Sequence, residues 1–166
     1  MMTTVSPVSL ASRSMPAAET GRSGLYSTAR AWLGRIPLAV VQLATRAALA
    51  GVFLRAGLLK VQSWESTVQL FRDEYHVPVL PPAMGAAMAA TFEIGCSSLI
   101  LAGLLTRVAT LPLLGMIATI QLLVYPQAWS EHLTWASLLL LLLTRGPGAL
   151  SIDRLVGLEP GDRTSP

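Results

Sequence analysis

Two opposite charges stand inside long apolar stretches of this 166-residue chain, Arg46 in "TRAALAGVFLRAGLLK" and Glu93 in "TFEIGCSSLILAGLLTR". A charge in the middle of a bilayer costs at least about 2.5–3.5 kcal/mol on insertion scales, so such a group normally faces inward and pairs. Arg46 lies about ten residues into the first apolar stretch and Glu93 about eleven into the second. If the two stretches are antiparallel helices, both charges fall near the midplane, and the spacing predicts an intramembrane Arg46–Glu93 ion pair. Gln42, Arg46 and Ala50 share one helical face, and Ala86, Ala89, Ala90, Glu93 and Ser97 share another, so the two faces are shaped to meet. Two roles for the pair stay open. It is either a clamp that sets helix register, or a site for proton transfer or for a polar headgroup.

A second set gathers nearer one end of the apolar stretches: Arg55, Lys60, Gln121, Tyr125 and His132. These side chains are expected to line an outer polar pocket, with a plain interfacial belt as the alternative. His132 stands between Trp129 and Trp135 and is equally an interfacial residue, whereas Cys96, the only cysteine, reads as a packing residue. One cysteine excludes an internal disulfide and a CxxC pair, and two histidines make bis-histidine haem ligation improbable. Phosphate-binding loops, dinucleotide fingerprints, HExxH and nucleophile elbows are all absent from the sequence, so no catalytic residue, metal or intrinsic cofactor is assigned.

The elements that must position these groups follow from hydropathy. The chain is 52% hydrophobic and 13% charged, with a mean hydropathy of +0.57, against about 25% charged residues in soluble domains. It reads as an all-α membrane protein, a four-transmembrane-helix bundle. Spans are predicted at about Ile36–Leu59, Pro82–Leu105 and Val108–Tyr125, with Pro112 kinking the third. The fourth, Leu133–Thr144, is charge-free over 12 residues and needs "PQAWSEH" and a snorkelling Arg145 to cross. Between spans one and two, Trp64, Val68, Phe71 and Tyr75 recur at helical spacing, which predicts an amphipathic interfacial helix ended by "VPVLPP".

Residues 1–35 are rich in Ser, Thr, Ala and Gly and read as a disordered tail, residues 36–145 as the membrane domain and 146–166 as a second tail. The Arg-rich leader also resembles a transit peptide, no cleaved signal peptide is expected, and Met15 is a second candidate start. With both termini inside, Arg13, Arg22, Arg30, Arg35, Arg107, Arg145, Arg154 and Arg163 face the cytoplasm against Lys60 and Arg72 outside, as the positive-inside rule prefers. Scattered arginines without a basic-aromatic platform exclude nucleic acid as a partner. Eleven Arg against one Lys, and no Asn, suggest a GC-rich, bacterial coding genome.

Arg46, Gly51, Phe53, Gly57 and Lys60 in the first span, then Pro78, the Glu93 of "FEIG", and Gly103 and Arg107 of "LAGLLTR", occur in an order that resembles the DoxX family. The likeness runs over roughly Pro37 to Arg154, including the closing "HLTWASLLLLLLTRGPGALSID". It implies a four-helix inner-membrane protein, an accessory or quinone-facing subunit of a membrane oxidoreductase system with redox protein partners. A small proton-coupled transporter that titrates Glu93, or a non-catalytic membrane scaffold, are the rival readings. Neither an activity nor an oligomeric state follows from the sequence.

Overall fold

The structure is a computed structural model that describes residues 20–75 and 80–159. Two units emerge, one up to Ile36 and one from Pro37 onward. In the first, Thr20–Leu33 form helix α1, where the sequence reading placed a structureless tail. Pro37 is extended and precedes the helix, a position where its missing N–H costs nothing.

The second unit is all-α among its described residues. Its elements are α2 (Leu38–Gln62), α3 (Trp64–Leu70) with a π-helical turn at Phe71–Tyr75, and α4 (Pro82–Ala102). Then come α5 (Thr106–Thr119), which also ends in a π turn at Ile120–Val124, a 3-10 turn (Pro126–Ala128), α6 (Trp129–Arg145) and the short α7 (Ile152–Leu155). Among the described residues, three stretches are long and apolar enough to cross a membrane: Leu38–Gln62, Pro82–Ala102 and Thr106–Val124. With 17 residues α6 reaches roughly 25 Å, a little short of a hydrocarbon core of about 30 Å. The chain is therefore a multi-pass, all-α membrane protein.

Helix α2 lies along α4, α5 packs between α4 and α6, and α6 closes back on α2. The core is built by Leu49, Phe53, Ile100, Leu113, Leu139 and Leu142, while Val40, Leu59, Val108 and Leu140 face outward, as lipid-facing residues do. Gly57 decides how closely α2 and α4 approach. A Cβ there would come within 2.7 Å of Ile94 Cγ1 and 2.9 Å of Glu93 Cβ, so only glycine fits without a shift.

In the interfacial segment the buried stripe is Thr67 and Phe71, followed by half-buried Tyr75, and Trp64 turns outward. Of the expected stripe, Phe71 is buried and Val68 and Tyr75 half-buried, so the helix is amphipathic as read and Trp64 alone departs. His76 and Pro78 lie outside the described residues.

Residues 146–159 are no loose tail, because they fold back under the bundle and bury Gly146, Pro147, Ser151 and Asp153. This strap differs from the sequence expectation for a physical reason. Its backbone and side-chain groups complete the ends of three helices.

Candidate functional site

The faces expected to meet do meet, but in a different register. Gln42, Arg46 and Ala50 are buried on α2, and Ala86, Ala90, Glu93 and Ser97 on α4. Since Gly57 stands opposite Glu93, Arg46 sits eleven residues, roughly 16 Å, farther along the helix axis. The expected Arg46–Glu93 pair is not formed. Each charge is satisfied by other groups.

Arg46 is 2% exposed and closes the C-terminal end of α4. Its Nε donates to Ile100 O at 2.8 Å and its Nη2 to Leu101 O, while Nη1 donates to Leu150 O at 2.6 Å in the strap. Cations belong at helix C-termini, where unpaired carbonyls and the macrodipole favour them. Here Gly103 adopts φ 71°, and Leu104 N returns to Leu99 O at 2.9 Å, which ends the helix in a Schellman turn.

Asp153 does the complementary work at the start of α5. It accepts from Leu105 N at 2.7 Å and Thr106 N at 3.0 Å, and so holds Leu105 in the left-handed conformation at φ 48°. Gln42 Nε2 donates to Gly146 O at 3.1 Å, and Arg107 donates to Leu143 O at 2.7 Å and to Glu159 Oε1 at 2.6 Å. Carbonyls at the C-terminal end of α6 are thereby covered from two sides. This end of the molecule is a capping network in which Arg46, Arg107, Asp153 and Glu159 are all engaged.

The other charge belongs to a cavity. Lys60 Nζ lies 2.8 Å from both carboxylate oxygens of Glu93, whose side chain is 5% exposed. Lys60 reaches this level because α2 runs on to Gln62 and α3 turns back over its end, where Thr67 Oγ1 donates to Lys60 O at 3.1 Å. Above the pair opens a cavity of about 460 Å³ walled by α4, α5 and the two π turns. Phe71, Met88, Phe92 and Met116 are among its apolar lining, with Lys60, Glu93 and Tyr75 as its ionisable groups. Met88 and Gly115 are exposed on the outside of the bundle, so the cavity opens sideways between α4 and α5. Both π turns contribute to its wall, in keeping with the tendency of π bulges to occur at functional positions. Gly85 lies beside it, and a Cβ there would crowd the Phe71 ring at 3.0 Å.

Tyr75 is ringed by aromatic neighbours, with ring centroids 4.7 Å from Phe71 and 5.7 Å from Tyr125. Burial pushes its phenol above the ordinary value. Tyr125 donates to Glu74, and that hydrogen bond, with burial second, raises its phenol as well. Both phenols are therefore proton-bearing donors at neutral pH.

The expected outer pocket does not hold together as one site. Lys60 serves the cavity and Tyr125 stands at its rim. Gln121 instead binds His132, Oε1 to Nδ1 at 2.7 Å, and donates to Pro126 O at 2.8 Å. His132 is buried against Trp135, so it is a satisfied packing residue of the α5–α6 corner. Arg55 is exposed on the opposite side of α2, on a shallow surface with Gly51, Leu58 and Gln62, because it lies five residues from Lys60 and points away. Cys96 is buried and free. No cluster of His, Cys, Asp or Glu suited to a metal ion occurs among the described residues.

Sequence reasoning missed Asp153, and Tyr75 as a cavity residue. The signal for Asp153 was the "SID" closing the family-like segment, a Ser N-cap followed by an acid. Tyr75 offered only its helical spacing from Phe71.

The DoxX family matches residues 41–126, just over half of the chain. The chain belongs to the DoxX family. No curated protein and no solved structure matches it. The matched stretch holds Arg46, Lys60, Glu93 and Arg107 and the whole wall of the cavity. At the capped end, Asp153, Glu159 and the carbonyls of α6 and the strap come from the segment beyond it.

Proposed function

We propose that this DoxX-family protein is an accessory, quinone-facing subunit of a bacterial inner-membrane oxidoreductase system. The reading rests on one observation above all: an apolar cavity of about 460 Å³, open between α4 and α5, that ends on the Lys60–Glu93 pair with its buried carboxylate. Ligand sites are mostly apolar hollows of about 300–1,000 Å³ with a few convergent polar groups, and this one has that make-up.

The residues present fit a quinone. An ammonium has three N–H donors, and two of those on Lys60 are turned to Glu93, which leaves one for a ring carbonyl. Glu93 positions Lys60 and balances its charge. Tyr75 offers a phenolic donor elsewhere in the wall, Phe71 and Phe92 offer ring faces, and Met88 and Met116 suit an irregular isoprenoid chain. A bound quinone supplies two-electron, two-proton chemistry, and soluble redox partners would supply the electron-carrying centres. On this reading α6 is a fourth span and both termini are cytoplasmic, with Arg46, Arg107, Arg145 and Arg154 toward the inner face.

Photolabelling tests the reading. The protein in lipid nanodiscs is treated with an azido-quinone, and its peptides are mapped by mass spectrometry. Labels are expected within 71–92 and 112–124, displaced by unlabelled quinone and suppressed in Met88→Trp, which fills the mouth of the cavity. Labelling spread over all lipid-facing peptides, indifferent to competitor and to Met88→Trp, would refute it. A proton-coupled carrier is the second reading, favoured by a carboxylate buried beside a lipid-open cavity. It requires flux that disappears in Glu93→Gln, and the engagement of both Glu93 oxygens by Lys60 speaks against it. A pure scaffold draws its support from the capping network alone.

A further inference from the structure

We infer that helix α1 is an anchor for an anionic bilayer surface. In Thr20–Leu33 one side carries Tyr26, Ala29, Trp32 and Leu33, continued by Ile36, while Ser27 and Thr28 lie on the other and Arg30 flanks the apolar side. Tyr26, Trp32 and Leu33 are 72%, 69% and 65% exposed, and nothing within α1 itself covers that side. An isolated helix of 14 residues is marginal in water, all the more with Gly21, Gly24 and several Ser and Thr in it, and it needs a surface to lean on.

Charge says which surface. From Thr20 to Pro37 the chain holds Arg22, Arg30 and Arg35 and no acid. A basic helix with an aromatic-aliphatic face, too polar on its other side to cross the bilayer, lies in the plane of the interface, and arginines near an anionic leaflet each strengthen the attraction. Only Gly34 to Pro37 separate Leu33 from the first residue of the first membrane span, so chain length keeps α1 within reach of the bilayer that α2 crosses. A protein groove as the occupant would need an acidic partner. Anionic lipid meets both the charge and the apolar face.

The full chain, with Cys96→Ala and a bimane fluorophore on Ala29→Cys, is reconstituted in vesicles of phosphatidylcholine alone or with phosphatidylglycerol. Lipid-borne spin labels at the headgroup and along the acyl chain serve as quenchers. Shallow acyl-chain quenching is expected in the anionic vesicles. In Arg30→Gln with Arg35→Gln the surface-bound fraction should fall by about fivefold per arginine removed, with a matching fall when salt is raised. Equal quenching in neutral and anionic vesicles, unmoved by the double substitution, overturns the anionic assignment. A blue-shifted fluorophore that no lipid-borne quencher reaches overturns it as well, since α1 would then be docked on protein. Folding of the double variant is checked by the unchanged melting of the bundle, of which α1 is no part.

Discussion

The register of α2 on α4 makes a quantitative prediction about which charges depend on one another. Lys60→Met leaves Glu93 buried and without its cation. Removing one member of a buried pair costs about 3–5 kcal/mol, and the 5% exposure of the Glu93 side chain places it in that range. Glu93→Leu is milder, about 1–3 kcal/mol, because the Lys60 side chain is 18% exposed and keeps some access beyond the cavity. The double substitution exchanges the pair for apolar groups of similar length, which is often neutral or even stabilising. With the double near zero, the coupling energy is the sum of the two single losses, roughly 4–8 kcal/mol. Arg46→Met is costly too, since four carbonyl contacts lose their donor, yet it sits roughly 16 Å from Glu93 and should add to Glu93→Leu within about 0.5 kcal/mol. Reversible unfolding in one fixed lipid-detergent mixture, followed by circular dichroism for the wild type and five variants, yields both cycles. A coupling above about 1 kcal/mol between Arg46 and Glu93, with none between Lys60 and Glu93, would mean that the register is wrong and with it the cavity.

Other expectations follow from the same contacts. Gly57→Val must push α2 from α4 against Ile94 and Glu93, a loss of about 1–3 kcal/mol read in the same unfolding assay, and an unperturbed melting curve would contradict the close approach. Asp153→Ala frees the amides of Leu105 and Thr106 and should cost about 1–2 kcal/mol, with faster hydrogen exchange confined to the α4–α5 turn. The raised Tyr125 phenol gives a pH signature whose sign is definite. Stability from its contact with Glu74 is complete below the ordinary phenol value of 10.0 and is lost as pH climbs through the higher folded value. Tyr125→Phe should remove that alkaline loss and leave the neutral range flat, as measured by melting temperature against pH.

The lengths and order of the helices were legible because a bilayer imposes a simple rule on hydropathy: α2, α4, and α5 with its π turn, each begin and end within about three residues of the predicted spans. The buried faces were legible from the 3.6-residue repeat, and Gln42, Arg46, Ala90, Glu93 and Ser97 are all inside. Register was not, because periodicity around a helix says nothing about translation along it. Treating the first span as ending at Leu59 placed Arg46 at its centre. In fact α2 runs on past Lys60, and its N-terminal turns pack on the strap, so Arg46 falls level with the end of α4.

A charge buried in a membrane helix has more than one way to be satisfied, and this protein uses two of them. Arg46 needs no carboxylate contact, since a helix C-terminus offers unpaired carbonyls that accept from a guanidinium as well as an acid would. Lys60 stands in the last turn of α2, yet its compact ammonium sits between the two oxygens of Glu93. The difference decides where chemistry can happen. Around Arg46 the strap has closed every approach, with Gly103 packed so tightly that a Cβ would strike Ser151 at 2.6 Å. Around Lys60 the protein leaves a hollow, and it sets the pair at the floor of that hollow instead of in the packed core. A purely architectural ion pair would gain nothing from a hollow beside it, whereas a pair that serves a ligand requires one.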